Sequence, residues 1–87
     1  MGVKTLEVLW SEIEQRKPND PGSTGQLLAL GIHQIGKKVV EEAAEAWMAA
    51  EYETGPQTAE EISQLFYHLL VLAKAKGISL NDIYEVL

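Results

Sequence analysis

Glu41-Glu42-Ala43-Ala44-Glu45 and, beyond a break at Thr54-Gly55-Pro56-Gln57, Glu60-Glu61-Ile62-Ser63-Gln64 decide how this chain is read. Residues three or four apart share one face of a helix, so each run aligns carboxylates along one side. The segments that carry them are long, apolar at helical spacing and separated only by the short break. They are therefore expected to pack antiparallel as a hairpin, which would bring the two acidic runs together. Several oxygen ligands converging in a chain without cysteine are the setting that hard cations such as Mg2+ require.

Working outward, residues 5–15 read as a first helix, with Leu6, Leu9, Trp10 and Ile13 on one stripe. Residues 16–25 hold Pro18, Pro21, Gly22 and Gly25 and read as a loop. Ser23 with Gln26 three positions on is a capping-box pattern, which predicts one long helix over 23–52. The break at 54–57 caps a third helix that ends at the Gly77 stop signal. Ser79 with Asp82 starts a short last helix. No strand-like alternation appears. The predicted class is all-α: a hairpin of two long helices with short flanking helices, in one domain over residues 1–87.

Composition adds bounds. An 87-residue chain hides only roughly 60–65% of the surface its unfolded form exposes, and it has no disulfide to compensate. A symmetric homodimer with a four-helix-bundle core is the expected remedy. Thirteen acidic residues against seven basic ones give a net charge of −6, which disfavours nucleic acid and anionic membranes as partners. A phosphorylated small molecule remains admissible if a metal cancels the repulsion. No segment reaches the roughly 20 apolar residues of a membrane span. Met1-Gly2-Val3-Lys4 leads into no apolar run, so no signal peptide is expected. A cysteine-free chain suits the cytoplasm.

Projected at helical periodicity, Ile32, Ile35, Val39, Ala43, Ala46 and Ala50 form one apolar arc. Glu42 falls inside that arc, with Glu45 and Lys38 on its border. On the third helix Ile62, Leu65, Phe66, Leu69, Leu72 and Ala73 make the expected core face, with Glu61 at its edge and His68 and Gln64 further round. A carboxylate within an apolar arc faces a desolvation cost unless it is paired or metal-bound. Both remedies stay open for Glu42: a metal site, or a structural contact such as an ion pair with Lys38. Glu41 and Glu60 project outward. His33 and His68 lack partners at metal-ligand spacing, and a hydrogen-bonded helix histidine is the expectation for His68. Trp10 and Trp47 read as core or interface anchors, and Gly36 as a point of close helix packing. There is no Gly-rich phosphate loop and no nucleophile motif for covalent catalysis.

At these residues the chain resembles the phosphoribosyl-ATP pyrophosphatase family, within the all-α, MazG-like nucleoside-triphosphate pyrophosphatases. The family's E-x-x-E corresponds to Glu42-Ala43-Ala44-Glu45, inside Lys38-Val39-Val40-Glu41-Glu42-Ala43-Ala44-Glu45. Its E-x-x-D with a following leucine-rich run corresponds to Glu61-Ile62-Ser63-Gln64 and Tyr67-His68-Leu69-Leu70-Val71-Leu72. Gly77-Ile78-Ser79-Leu80 matches a closing Gly-x-x-L segment, and Asp20-Pro21-Gly22-Ser23-Thr24 the Pro/Ser-rich loop. The aromatic often found in that loop is missing, and at a ligand position Gln64 stands where the family has its last acidic ligand. A glutamine carbonyl ligates a hard cation but brings no charge.

The resemblance implies hydrolysis of phosphoribosyl-ATP to phosphoribosyl-AMP and pyrophosphate, the second step of histidine biosynthesis, with Mg2+ as cofactor. It implies Glu42, Glu45, Glu61 and Gln64 as the metal ligands. A carboxylate not fully engaged with metal, Glu45 or Glu41, is the candidate base for the attacking water. Lys38, and less directly Lys17 and Ser23, are the candidate phosphate contacts. A house-cleaning pyrophosphatase acting on other nucleotides shares the motifs, and a non-enzymatic helical dimerisation module is the alternative if Gln64 abolishes metal binding.

Overall fold

Five helices follow one another: α1 (Leu6–Glu14), α2 (Ser23–Leu30), α3 (Ile32–Tyr52), α4 (Gly55–Lys76) and α5 (Leu80–Val86). The computed structural model describes residues 3–87, and among them there is no strand. Met1 and Gly2, on which the reading of the N-terminus partly rests, lie outside the described residues. The all-α class is as predicted. Among the described residues no helix is long and apolar enough to cross a membrane.

The α3–α4 hairpin is the frame. Its connection is set by a reciprocal cap: the Gln57 backbone N–H donates to Thr54 Oγ1 at 3.3 Å, and the Thr54 N–H to Gln57 Oε1 at 3.1 Å. Two orphan donors at the start of α4 are satisfied this way. α5 begins by the same device, with Ser79 and Asp82 capping each other at 3.1 and 2.8 Å. Ile13, Ile35, Leu70, Val71 and Leu80 form the buried core, with Leu6, Leu9, Trp10, Leu27 and Leu28 packed on it. Lys74 Nζ donates to the Glu14 carbonyl at 2.8 Å and holds the end of α1 against α4.

The predicted helix over 23–52 is in fact two. Gly31 sits between them at φ +96° and ψ 175°, a conformation that residues with a Cβ rarely adopt. Its N–H still reaches the Leu27 carbonyl and its carbonyl still accepts from Ile35 N–H, both at 3.1 Å. The chain thus turns without stranding its backbone groups. Apolar spacing persists across the bend, so periodicity alone read it as continuous; the lone glycine was the only local sign. The predicted capping box at Ser23 is not made either. Gly22 occupies the cap position with no side-chain hydrogen bond, and the Ser23 hydroxyl is engaged elsewhere.

The loop before α2 is folded against itself. Lys17 N–H donates to Asp20 Oδ2 at 2.9 Å, and Asn19 N–H to the Gly25 carbonyl at 3.0 Å. A Cβ on Gly25 would stand 2.0 Å from the Asp20 carbonyl oxygen, so only glycine fits that contact.

The core face of α4 also differs from expectation. His68, Leu70, Val71 and Ala73 are buried, whereas Ile62, Phe66 and Leu69 stay 40–46% exposed. On α3 the buried residues are Ile35, Glu42 and Ala49, one line two turns apart, while Ile32 and Ala43 face outward. The apolar arcs of both helices are wider than one hairpin contact can cover, so part of each remains outside. Gly36 has open space where a Cβ would go, so no close packing within the chain explains it. Trp10 is half-buried against the core and Trp47 is exposed.

Candidate functional site

Glu42 and Glu45 on α3 and Glu61 on α4 meet at the hairpin: one carboxylate oxygen from each lies within 4.8 Å of the others. The sequence places them there in two steps. The i, i+3 spacing sets Glu42 and Glu45 on one face, and Glu45 and Glu61 stand nearly equidistant from the turn that closes the hairpin. Glu42 is buried at 7% exposure, Glu61 is half-buried and Glu45 is exposed. The cluster is therefore open on one side.

Its electrostatics are unfavourable without a cation. Burial raises the Glu42 carboxyl above the ordinary carboxylate range, and the hydrogen bond and like charge of Glu45 raise it further. His68 and Lys38 oppose that shift. Lys38 Nζ is 3.8 Å from Glu42 and 3.5 Å from Glu41, so the anticipated ion pair does exist. It is a weak one, since the Lys38 side chain is 44% exposed and shared between two acids. One partly solvated lysine does not balance three converging carboxylates. Oxygen donors of this number and charge fit a hard divalent cation.

The neighbours are ordered around this cluster. His68 is buried, and its Nδ1 lies 2.8 Å from the Gln64 backbone carbonyl. A carbonyl only accepts, so Nδ1 carries the proton. That is the hydrogen-bonded helix histidine expected from the sequence. Glu41 and Glu60 are exposed and do not join the three.

Gln64, one helical turn beyond Glu61, is exposed and lines a cleft of about 480 Å³ together with Ser63, Phe66 and Tyr67 of α4, Ser23 of α2, and Lys4 and Leu9 at α1; none of the three carboxylates lines it. Ser23 Oγ lies 2.7 Å from the Tyr67 hydroxyl, and Thr24 Oγ1 lies 2.5 Å from the same hydroxyl. Of the candidate phosphate contacts, Lys38 stands at the cluster and Ser23 in the cleft. Lys17 is exposed in the loop and is not among the residues lining the cleft. Sequence reasoning did not single out Lys4, Thr24 or the Tyr67 hydroxyl. No local pattern marks them, because their proximity arises from contacts across more than forty residues.

The model of the family described as phosphoribosyl-ATP pyrophosphohydrolase matches residues 6–87 of this chain. Proteins named phosphoribosyl-ATP pyrophosphatase from Streptomyces avermitilis and Streptomyces coelicolor are each 55% identical to it over 87 residues, covering 97% of both chains. One of the same name from Bifidobacterium animalis subsp. lactis is 52% identical over 85 residues, covering 95% of this chain and 98% of its own length.

Proposed function

The chain belongs to the phosphoribosyl-ATP pyrophosphohydrolase family, and from that premise we propose how it hydrolyses phosphoribosyl-ATP to phosphoribosyl-AMP and pyrophosphate in histidine biosynthesis. The observation that carries the reading is the convergence of Glu42, Glu45 and Glu61 within 4.8 Å across the hairpin. These three would hold Mg2+, with the Gln64 side-chain carbonyl as a neutral fourth donor beside Glu61. Held there, Mg2+ would supply the charge that neutralises the triphosphate, polarises the α-phosphorus and lowers the pKa of the attacking water.

The chain's own groups do the rest. Glu45, the exposed member of the cluster, accepts the water's proton, because Glu42 and Glu61 are held deeper in the hairpin. Glu41, paired with Lys38 outside the cluster, is the less suited base. Water attacks the α-phosphorus, and the bond from that phosphorus to the α–β bridging oxygen breaks, releasing pyrophosphate. Lys38 meets phosphate oxygens at the rim of the cluster, and Ser23 meets them from the cleft. A net charge of −6 leaves the bridging ion as the main means of binding a polyanion.

The active form is a cytoplasmic homodimer in this reading. Its support is the exposed apolar strip of Ile62, Phe66 and Leu69 on α4. That strip is continuous with an apolar groove of about 470 Å³ that Ile32, Leu69, Leu72, Ile78 and Ile83 line. Pairing two such hairpins buries what one hairpin leaves outside.

Turnover of phosphoribosyl-ATP, measured with Mg2+ and with excess chelator, tests the proposal. Activity should require the cation and should exceed that on a panel of common nucleoside triphosphates. Undiminished turnover in chelator overturns the metal mechanism, and faster turnover of the panel overturns the substrate. Sedimentation at micromolar concentration should give twice the chain mass.

A further inference from the structure

Three hydroxyls form a short chain at the edge of the cleft: Thr24 Oγ1, Tyr67 OH and Ser23 Oγ, with Tyr67 in the middle at 2.5 and 2.7 Å. Each hydroxyl has one proton to donate. Two hydrogen bonds use two of the three; the third proton is free at an end of the chain when Tyr67 accepts from one neighbour and donates to the other, and on Tyr67 itself when it accepts from both. The two ends are not equivalent. Ser23 lines the cleft beside Lys4 and Gln64, whereas Thr24 is not among the lining residues and is half-buried.

We propose that Tyr67 is a positioning residue: it accepts from Thr24 and donates to Ser23, which leaves the Ser23 proton free for a phosphate oxygen of the substrate. With the opposite order, Ser23 would spend its proton on Tyr67 and present only lone pairs to an anion. An anionic oxygen selects the first order, and a chain of hydrogen bonds running in one direction strengthens each member. Lys4, whose Nζ is paired with Glu12 at 2.8 Å, lines the same cleft. Anchoring also matters. No side chain caps α2, and its first turn is tied to α4 through this hydroxyl. Ser23 is therefore held in place by a residue three positions from Gln64 and six from Glu61. This assignment rests on the hydrolase reading above and concerns substrate binding rather than the reacting atoms.

The test is steady-state hydrolysis of phosphoribosyl-ATP with Mg2+ by wild type, Tyr67→Phe, Ser23→Ala and the double variant, with a thermal melt of each. Tyr67→Phe should raise KM about fivefold to tenfold, the size of one ordinary hydrogen bond, with kcat changed less than twofold. The double variant should be no worse than Ser23→Ala, because the tyrosine hydroxyl acts through the serine. Wild-type KM in Tyr67→Phe overturns the inference, and so do KM effects that multiply in the double variant. A lowered melting temperature with KM unchanged would leave Tyr67 a structural clasp and also overturns it. Should Tyr67→Phe fail to fold, Thr24→Val removes the first donor of the chain while keeping Tyr67, and should raise KM in the same direction; no rise overturns the inference. A wild type that does not hydrolyse phosphoribosyl-ATP refutes the function itself, a result read before any variant is compared.

Discussion

The hairpin of α3 and α4 and the segment running from α1 through the loop into α2 contribute to the site in opposite ways. The hairpin supplies charge: three carboxylates whose convergence follows from helix spacing and one tight turn. The α1–α2 segment supplies hydroxyls and one lysine whose positions depend on a folded loop, a glycine bend and a tyrosine on another helix. The hairpin stores an electrostatic cost at Glu42 that a cation relieves. The other segment is tightly fitted, and its cost is steric. The two halves should therefore fail differently when altered.

The largest effect should come from the hairpin. Glu42→Gln should lower kcat about a thousandfold, the scale of a lost metal contribution, without lowering the melting temperature of the magnesium-free protein. Removing the charge relieves the crowding by Glu45, and it strands little, since Lys38 keeps Glu41 at 3.5 Å. Mg2+ should raise the wild-type melting temperature and lose most of that effect in the variant. A large loss of apo stability with activity and Mg2+ response retained would make Glu42 a structural carboxylate.

In the other half, Gly25→Ala should cost stability directly, about 1–3 kcal/mol as for other overpacked sites. The added Cβ meets the Asp20 carbonyl oxygen at 2.0 Å. Chemical denaturation measures this, and a variant as stable as wild type would show that the loop can open without penalty. Gly31→Ala distinguishes a bend from a straight helix by its sign. In a continuous helix alanine would stabilise by about 1 kcal/mol. At φ +96° it should instead destabilise by about 1–2 kcal/mol.

The smallest effect is on pH. Burial and Glu45 place the Glu42 carboxyl above the ordinary value of about 4.3, so the folded chain binds that proton more readily than the unfolded one. In chelator, its contribution to stability is fully present below the unfolded value and is lost as pH rises through the folded one. Wild type should thus gain on Glu42→Gln as pH falls from 7 toward 4. Denaturant midpoints of the pair measure that difference; a constant gap across the range would mean that Glu42 titrates like an exposed acid.

Local pattern was enough for the helical class, the caps at Thr54 and Ser79, the stop at Gly77, and the placing of Glu42 off the solvent side of its helix. Each of these rests on interactions within about a turn of the chain, where residue type and spacing decide the outcome. Tertiary structure alone decided the bend at Gly31, the use of Ser23 in a tie to Tyr67 instead of a cap, and which part of each wide apolar arc was buried. Those choices compare alternatives of similar local energy. A glycine serves in a helix or outside it, a serine caps or reaches across, and an arc turns either edge inward. Contacts between residues far apart in sequence, as with Ser23 and Tyr67, settle such choices, and helical periodicity carries no information about them.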